Sequence, residues 1–177
     1  MTFNLDIYLS GRVQKLYKIK PADMVKEADT SLGPDWWSVW RCEHLASDKD
    51  DKHVFLFTNA TCYYSILVFQ QGLSLESLLL QFNKELLFHL GNLKAVLPNK
   101  LQAYTRMIKG NPRSLTAIMN NLIYHAEFNL FEKKRSYEET EKALNNTPWR
   151  GPDYIFPEDE IQKLIKESPI TSPRFLN

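Results

Sequence analysis

The hydrophobic period of this chain changes at Ser74, and that change limits the fold more than any other feature. Upstream, Phe3, Leu5, Ile7 and Leu9 alternate with other residues, the pattern of a half-buried strand. Residues 36–42 (WWSVWRC), 53–58 (HVFLFT) and 61–69 (TCYYSILVF) are rich in aromatic and β-branched side chains and are separated by short polar breaks. These predict three strands of an antiparallel meander. Residues 13–17 fit either a short helix or a second strand, and 20–34 read as a loop with one helical turn near Met24. Downstream, Ser74 caps a helix carrying Leu75, Leu78, Leu79, Phe82, Leu86 and Leu90, at helical spacing. Residues 101–108 read as a further strand. Asn111 as cap, with Pro112 at the first helical position, opens a helix over 111–128. Its Leu115, Ile118, Met119, Leu122, Ile123 and Ala126 form one apolar face. The capping box Ser136-Tyr137-Glu138-Glu139 starts a helix to about Asn145, and Pro157 starts a short last one. The expectation is an α+β fold: an antiparallel sheet of about four or five strands, two long helices on one face, and short C-terminal helices.

The chain has 177 residues, 44% hydrophobic and 24% charged, which suits one globular domain with a frayed tail from about residue 168. Twenty-two basic against 21 acidic residues leave a formal charge of +1, too balanced for a protein that coats DNA. Cys42 and Cys62 have no zinc-site spacing. They are expected as two reduced, half-buried thiols, with a disulfide between neighbouring strands as the alternative. No apolar run reaches the ~20 residues of a membrane helix, and residues 1–6 lack the pattern of a signal peptide. A cytoplasmic protein is expected.

The charge is unevenly spread. No acidic residue lies between Glu85 and Glu127, a stretch that holds Lys94, Lys100, Arg106, Lys109 and Arg113. Arg106, Lys109 and Arg113 flank the start of a predicted helix, where anions are favoured. The bland alternative is a solvated turn paired with acidic side chains from elsewhere. Tyr104, Tyr124 and His125 complete the residue types that a metal-independent ribonuclease uses to hold a phosphate and move protons. His125-Ala126-Glu127 matches half of a zinc-deaminase signature, but the cysteine half is missing. There is no P-loop, nucleophile elbow or dinucleotide fingerprint, so no cofactor and no metal are expected. If 36–42 is a strand, Trp36 and Trp40 share one face and Trp37 the other. One set packs in the core, and the other could anchor a partner.

Several segments together resemble a bacterial family known as an uncharacterised domain of unknown function. They are Trp36-Trp37 with the strand after it, Phe55 to Asn59, Tyr64 to Val68, Thr105-Arg106, residues 111–125 and Leu144 to Pro148. The resemblance spans roughly residues 36–160 and implies a small α+β protein of bacterial origin, with no assigned activity. The leading expectation is a non-catalytic binding protein of inhibitor, antitoxin-like or immunity type, with a protein partner and Arg106, Lys109, Arg113, His125 and Trp37 as anion- or partner-binding residues. The alternatives are a small ribonuclease-like enzyme, or a sensor of an anionic ligand using the basic 94–113 segment.

Overall fold

Strand β1 (Thr2–Leu9) lies inside the sheet and pairs in parallel with both neighbours. The structure is a computed structural model and describes residues 2–26, 36–48, 52–95, 102–110, 113–116, 118–149, 154 and 156–168. The further strands are β2 (Val25–Lys26), β3 (Val39–Asp48), β4 (Lys52–Asn59), β5 (Ser65–Gln71) and β6 (Gln102–Lys109). Among the described residues they form one six-stranded sheet in the order β2-β6-β1-β3-β4-β5. The predicted meander is present as β3-β4-β5, antiparallel throughout. The other half of the sheet corrects the antiparallel expectation, because β3, β1, β6 and β2 run parallel. Parallel neighbours need long crossover connections, which carry no local turn signal. Here β1 reaches β3 only through the segment between them, and β6 comes to lie beside β1 only after the whole meander and the helix over Leu75–Asn92.

Alternation along the strands divides the core in two. Phe55 and Phe57 of β4, with Ile66 and Val68 of β5, pack with Leu5, Ile7, Leu9, Trp40 and Cys42 on one face. Val54, Leu56 and Leu67 point to the other face. Helix α1 (Gly11–Leu16) covers the first face through Val13, and α2 (Leu75–Asn92) does so through Leu78, Phe82, Leu86 and Leu90. Phe82 stacks on Phe57 with ring centroids 4.0 Å apart and meets Trp40 edge-on. Helix α6 (Pro157–Glu167) joins them through Ile161. The second face is covered by α3 (Arg113–Thr116), α4 (Met119–Glu127) and α5 (Tyr137–Asn145), with Leu115, Met119, Leu122, Ala126 and Leu144 buried. The two long helical segments thus lie on opposite faces, not on one, because the sheet exposes an apolar surface on each side that must be covered.

Local sequence places most helix ends. Ser10 accepts from Val13 N–H to cap α1, which settles residues 13–17 as mainly helix. Ser74 does the same for α2 from Ser77 N–H. The Ser136/Glu139 capping box of α5 is fully formed, and its backbone hydrogen bond holds the Glu139 carboxyl below its ordinary range. The predicted helix over 111–128 is instead interrupted. Ile118 N–H bonds Leu115 C=O, a tightened turn, and α4 begins only at Met119. It then runs on as a π-helical turn, Phe128–Glu132. Asn111 and Pro112 lie outside the described residues. Helix α6 and its Pro157 start agree with the expectation. No helix of the described residues is long and apolar enough to cross a membrane.

Leu122 is fully buried between α4 and the sheet. Leu122→Ala is expected to cost about 2–5 kcal/mol in a urea unfolding curve, and a change under ~1 kcal/mol would contradict this packing. Cys42 and Cys62 are both free and fully buried. Burial is the main cause that pushes the Cys62 thiol up to about 12 and the Cys42 thiol well above its usual value. A thiol so shifted stays protonated at neutral pH and reacts slowly. Native protein should therefore resist alkylation, and denatured protein should take up one label per cysteine without reductant, read by mass.

Candidate functional site

The basic segment does not assemble into one cationic mouth. Arg106 sits in β6 directly beside Asp6 of β1. Its Nε donates to Asp6 Oδ1 at 2.7 Å and its Nη2 to Asp6 Oδ2 at 3.0 Å. This is the bidentate geometry of a strong guanidinium–carboxylate pair, and it occupies the group a phosphate would need. Lys109 is exposed at the end of β6, beside Lys26 in register. Lysines at the rim of a sheet discourage strand addition by another chain. Arg113 opens α3, but its side chain lies outside the described residues, as does that of Tyr104.

His125 is half-buried on α4, edge-on to Trp149 at 5.3 Å and to exposed Tyr124 at 5.7 Å. Its position reads as packing between the helix and the chain after α5. Trp37 is 6% exposed and belongs to the core beside Trp36 and Trp40, which corrects its reading as a surface anchor. The parity argument fails because residues 36–38 form a turn and β3 starts only at Val39. All three indoles therefore reach one core cluster. Trp40 Nε1 donates to Trp37 C=O, and Trp36 Nε1 to Ser168 C=O.

Three further arrangements stand out in the structure. The first links Tyr64, His89 and Glu141. Tyr64 O–H lies 3.0 Å from His89 Nδ1, and His89 Nε2 lies 3.4 Å from Glu141 Oε2. Burial first, then the charge of Glu141, pushes the Tyr64 phenol up. Tyr64 is buried in the core, so the relay lies between packed elements and ties α2 to α5. The second is a close pair of histidines, His44 and His53, on the β3–β4 hairpin.

The third is a surface. On α4 and the π-helical turn, Tyr124, Phe128 and Phe131 recur at helical spacing on the outer side. Tyr124 is 61% exposed, and its ring lies nearly parallel to that of Phe128 at 6.1 Å. Phe131 is also exposed, and Lys133 Nζ stands 5.4 Å over the Phe128 ring, within cation–π range. Tyr137, at the start of α5, stacks on Phe69 of β5 at 6.0 Å, and both are exposed. Helical periodicity alone could have flagged Tyr124, Phe128 and Phe131, because they fall opposite the buried face of α4.

The Asp6–Arg106 pair generates a direct test. Both side chains are partly buried, at 11% and 23% exposure. Arg106→Ala would strand the carboxylate and cost roughly 2 kcal/mol, between the values typical of surface and buried pairs. Adding Asp6→Asn should restore part of that stability in urea unfolding. An Arg106→Ala protein as stable as wild type would return Arg106 to the list of free cations.

No curated protein and no solved structure matches this chain. A family model does, over residues 7–160, and it reaches further toward the amino terminus than the motifs beginning at Trp36, taking in the end of β1 and all of α1. By that match the chain belongs to the family described as domain of unknown function DUF6933.

Proposed function

We propose that this protein is a non-catalytic binding module that docks a protein partner through the aromatic surface of α4, the π-helical turn and the start of α5. The observation that carries the reading is the exposed Tyr124 stacked on half-buried Phe128, with exposed Phe131 one turn on, followed by the exposed Tyr137–Phe69 stack. Large aromatics normally dominate core burial. When they stay exposed side by side, they match the composition of interface hot spots. The π-helical turn beneath Phe128 and Phe131 adds support, since such turns recur at functional sites.

Charge favours a protein over a nucleic acid. Lys133, Lys134 and Arg135 lie in this stretch, but so do Glu127, Glu132, Glu138 and Glu139. The mixture resembles the polar rim of a protein interface and would repel a phosphate backbone as much as attract it. The engagement of Arg106 by Asp6 weakens the ribonuclease and anion-sensor readings, which relied on it. An inhibitor or immunity-type role is one form that such docking could take, and the free buried thiols suit a reducing cytoplasm.

The test compares quantitative affinity capture from the native host by wild type and by Tyr124→Ala/Phe131→Ala, after nuclease treatment. Both residues are exposed, so circular dichroism and the unfolding midpoint should stay near wild type. A stoichiometric protein partner is expected with wild type, weakened about tenfold or more in the variant, as hot-spot truncation does. Capture unchanged by the double substitution, or material that vanishes with nuclease, would overturn the reading.

A further inference from the structure

The β3–β4 hairpin carries a pair of imidazoles unrelated to the aromatic surface. His44 Nε2 and His53 Nδ1 are 3.1 Å apart, with ring centroids at 5.3 Å. His44 stands opposite Phe55 in the ladder, and His53 is two residues before Phe55, so the two are diagonal neighbours on one sheet face. The register shifts between His44 and Ala46. Such a bulge adds local twist, which alters how diagonal side chains meet. Both rings also lean on Phe55, at 5.1 and 6.3 Å. The pair is therefore positioned by two hydrogen-bonded strands and an aromatic floor. His53 is buried, while His44 is half-buried.

We propose that His44 and His53 form an open two-imidazole site for a late divalent transition ion such as Zn(II) or Ni(II). The spacing is the central argument. Two nitrogens each about 2.05 Å from one ion are separated by roughly 2.9 Å at a right angle and 3.4 Å at the tetrahedral angle. The observed 3.1 Å, at which the two rings share one hydrogen bond, falls between them, so an ion would take the place of the shared proton. Imidazole is the side chain best matched to these ions, and a neutral ring can ligate through either nitrogen. Among the described residues no group of three or more His, Cys, Asp or Glu side chains converges for a metal. Two protein ligands on a half-exposed hairpin leave coordination positions for water or an external ligand, as an open site requires.

The surroundings suit a tuned site. Gln70 is the ladder partner of His53, and it accepts from the Tyr17 hydroxyl and donates to Ser74 C=O. Tyr17 stacks on Phe55 at 5.9 Å, and burial holds its phenol protonated. This network braces the ring floor and the strand beside His53, as polar neighbours brace ligand rings elsewhere.

The test is calorimetric titration of the tag-free protein with Zn(II) and with Ni(II), in a non-chelating buffer, for wild type, His44→Gln, His53→Gln and His125→Gln. Wild type should bind one equivalent, and its thermal midpoint should rise with metal concentration by mass action. His44→Gln and His53→Gln should each weaken binding by about tenfold or more, while His125→Gln on α4 should bind as wild type does. If buried His53→Gln fails to fold by circular dichroism, the half-exposed His44→Gln decides alone. No binding to wild type, or binding that survives His44→Gln, would overturn the site.

Discussion

The fold depends on how the sheet ends at β5. An edge strand presents a row of backbone N–H and C=O groups, and a buried one left unpaired costs about 1–3 kcal/mol. Here α5 lies along the edge and supplies the missing partners from its side chains. Asn145 Oδ1 accepts from Ser65 N–H at 2.7 Å, and Asn145 Nδ2 donates to Ser65 C=O at 2.9 Å. One turn earlier, Glu141 Oε1 accepts from Leu67 N–H at 2.6 Å. Residues four apart on a helix lie on one face, and residues two apart on a strand do so too. The helix therefore continues the ladder with an amide and a carboxylate in place of a strand. Glu141 also faces His89 with its second oxygen, so the group that closes the edge links α5, on one face of the sheet, to α2 on the other. The opposite edge is managed differently, by a two-residue strand, β2, that carries Lys26.

Most local structure was legible because its signals are local. Period-2 alternation marked β1, runs of aromatic and β-branched residues marked the β3-β4-β5 meander, and serine caps marked α2 and α5 within a residue or two. What the chain did not disclose was order across the sheet. β1 pairs with β3 and β6 through segments that contain no hairpin turn, so alternation identified the strand but not its neighbours. A sheet with β1 inside it also needs cover on both faces, which is why the long helical segments separated. The helix over 111–128 kept its buried face at Leu115, Ile118 and Leu122, even though its backbone is interrupted. Burial pattern survives such a break because it reflects packing, whereas continuity depends on each successive hydrogen bond.

The candidate residues show the same division. Counting charges along 94–113 could not reveal that Arg106 would meet Asp6, a hundred residues away and one strand over. Trp37 was placed by strand parity in a segment that is a turn. His44 with His53, and Tyr64 with His89 and Glu141, are pairs and triples made by pairing register and by helix placement. The aromatic stripe Tyr124, Phe128 and Phe131 is the exception: it lies on one continuous helical segment, so its spacing is present in the sequence.

The buried charges in the sheet raise a different question, since a buried ion pair is weak evidence for stability. Asp6–Arg106 lies between β1 and β6, and Arg41 pairs with Glu43 on β3. Parallel strands slide more readily than hairpins, because no tight turn fixes their register. A slip of one residue between β1 and β6 would carry every side chain of the moving strand to the opposite face. Arg106 would then enter the apolar layer of Ile7, Trp40 and Phe82, while Met107 would leave that layer. The energy separating the two registers is the penalty of an unpaired charge in an apolar core, far larger than the net worth of the ion pair itself. On these grounds the pair would act on specificity, by making wrong alignments of β1 and β6 costly. It also explains why a positive charge that looks functional in the sequence sits instead at a join in the fold.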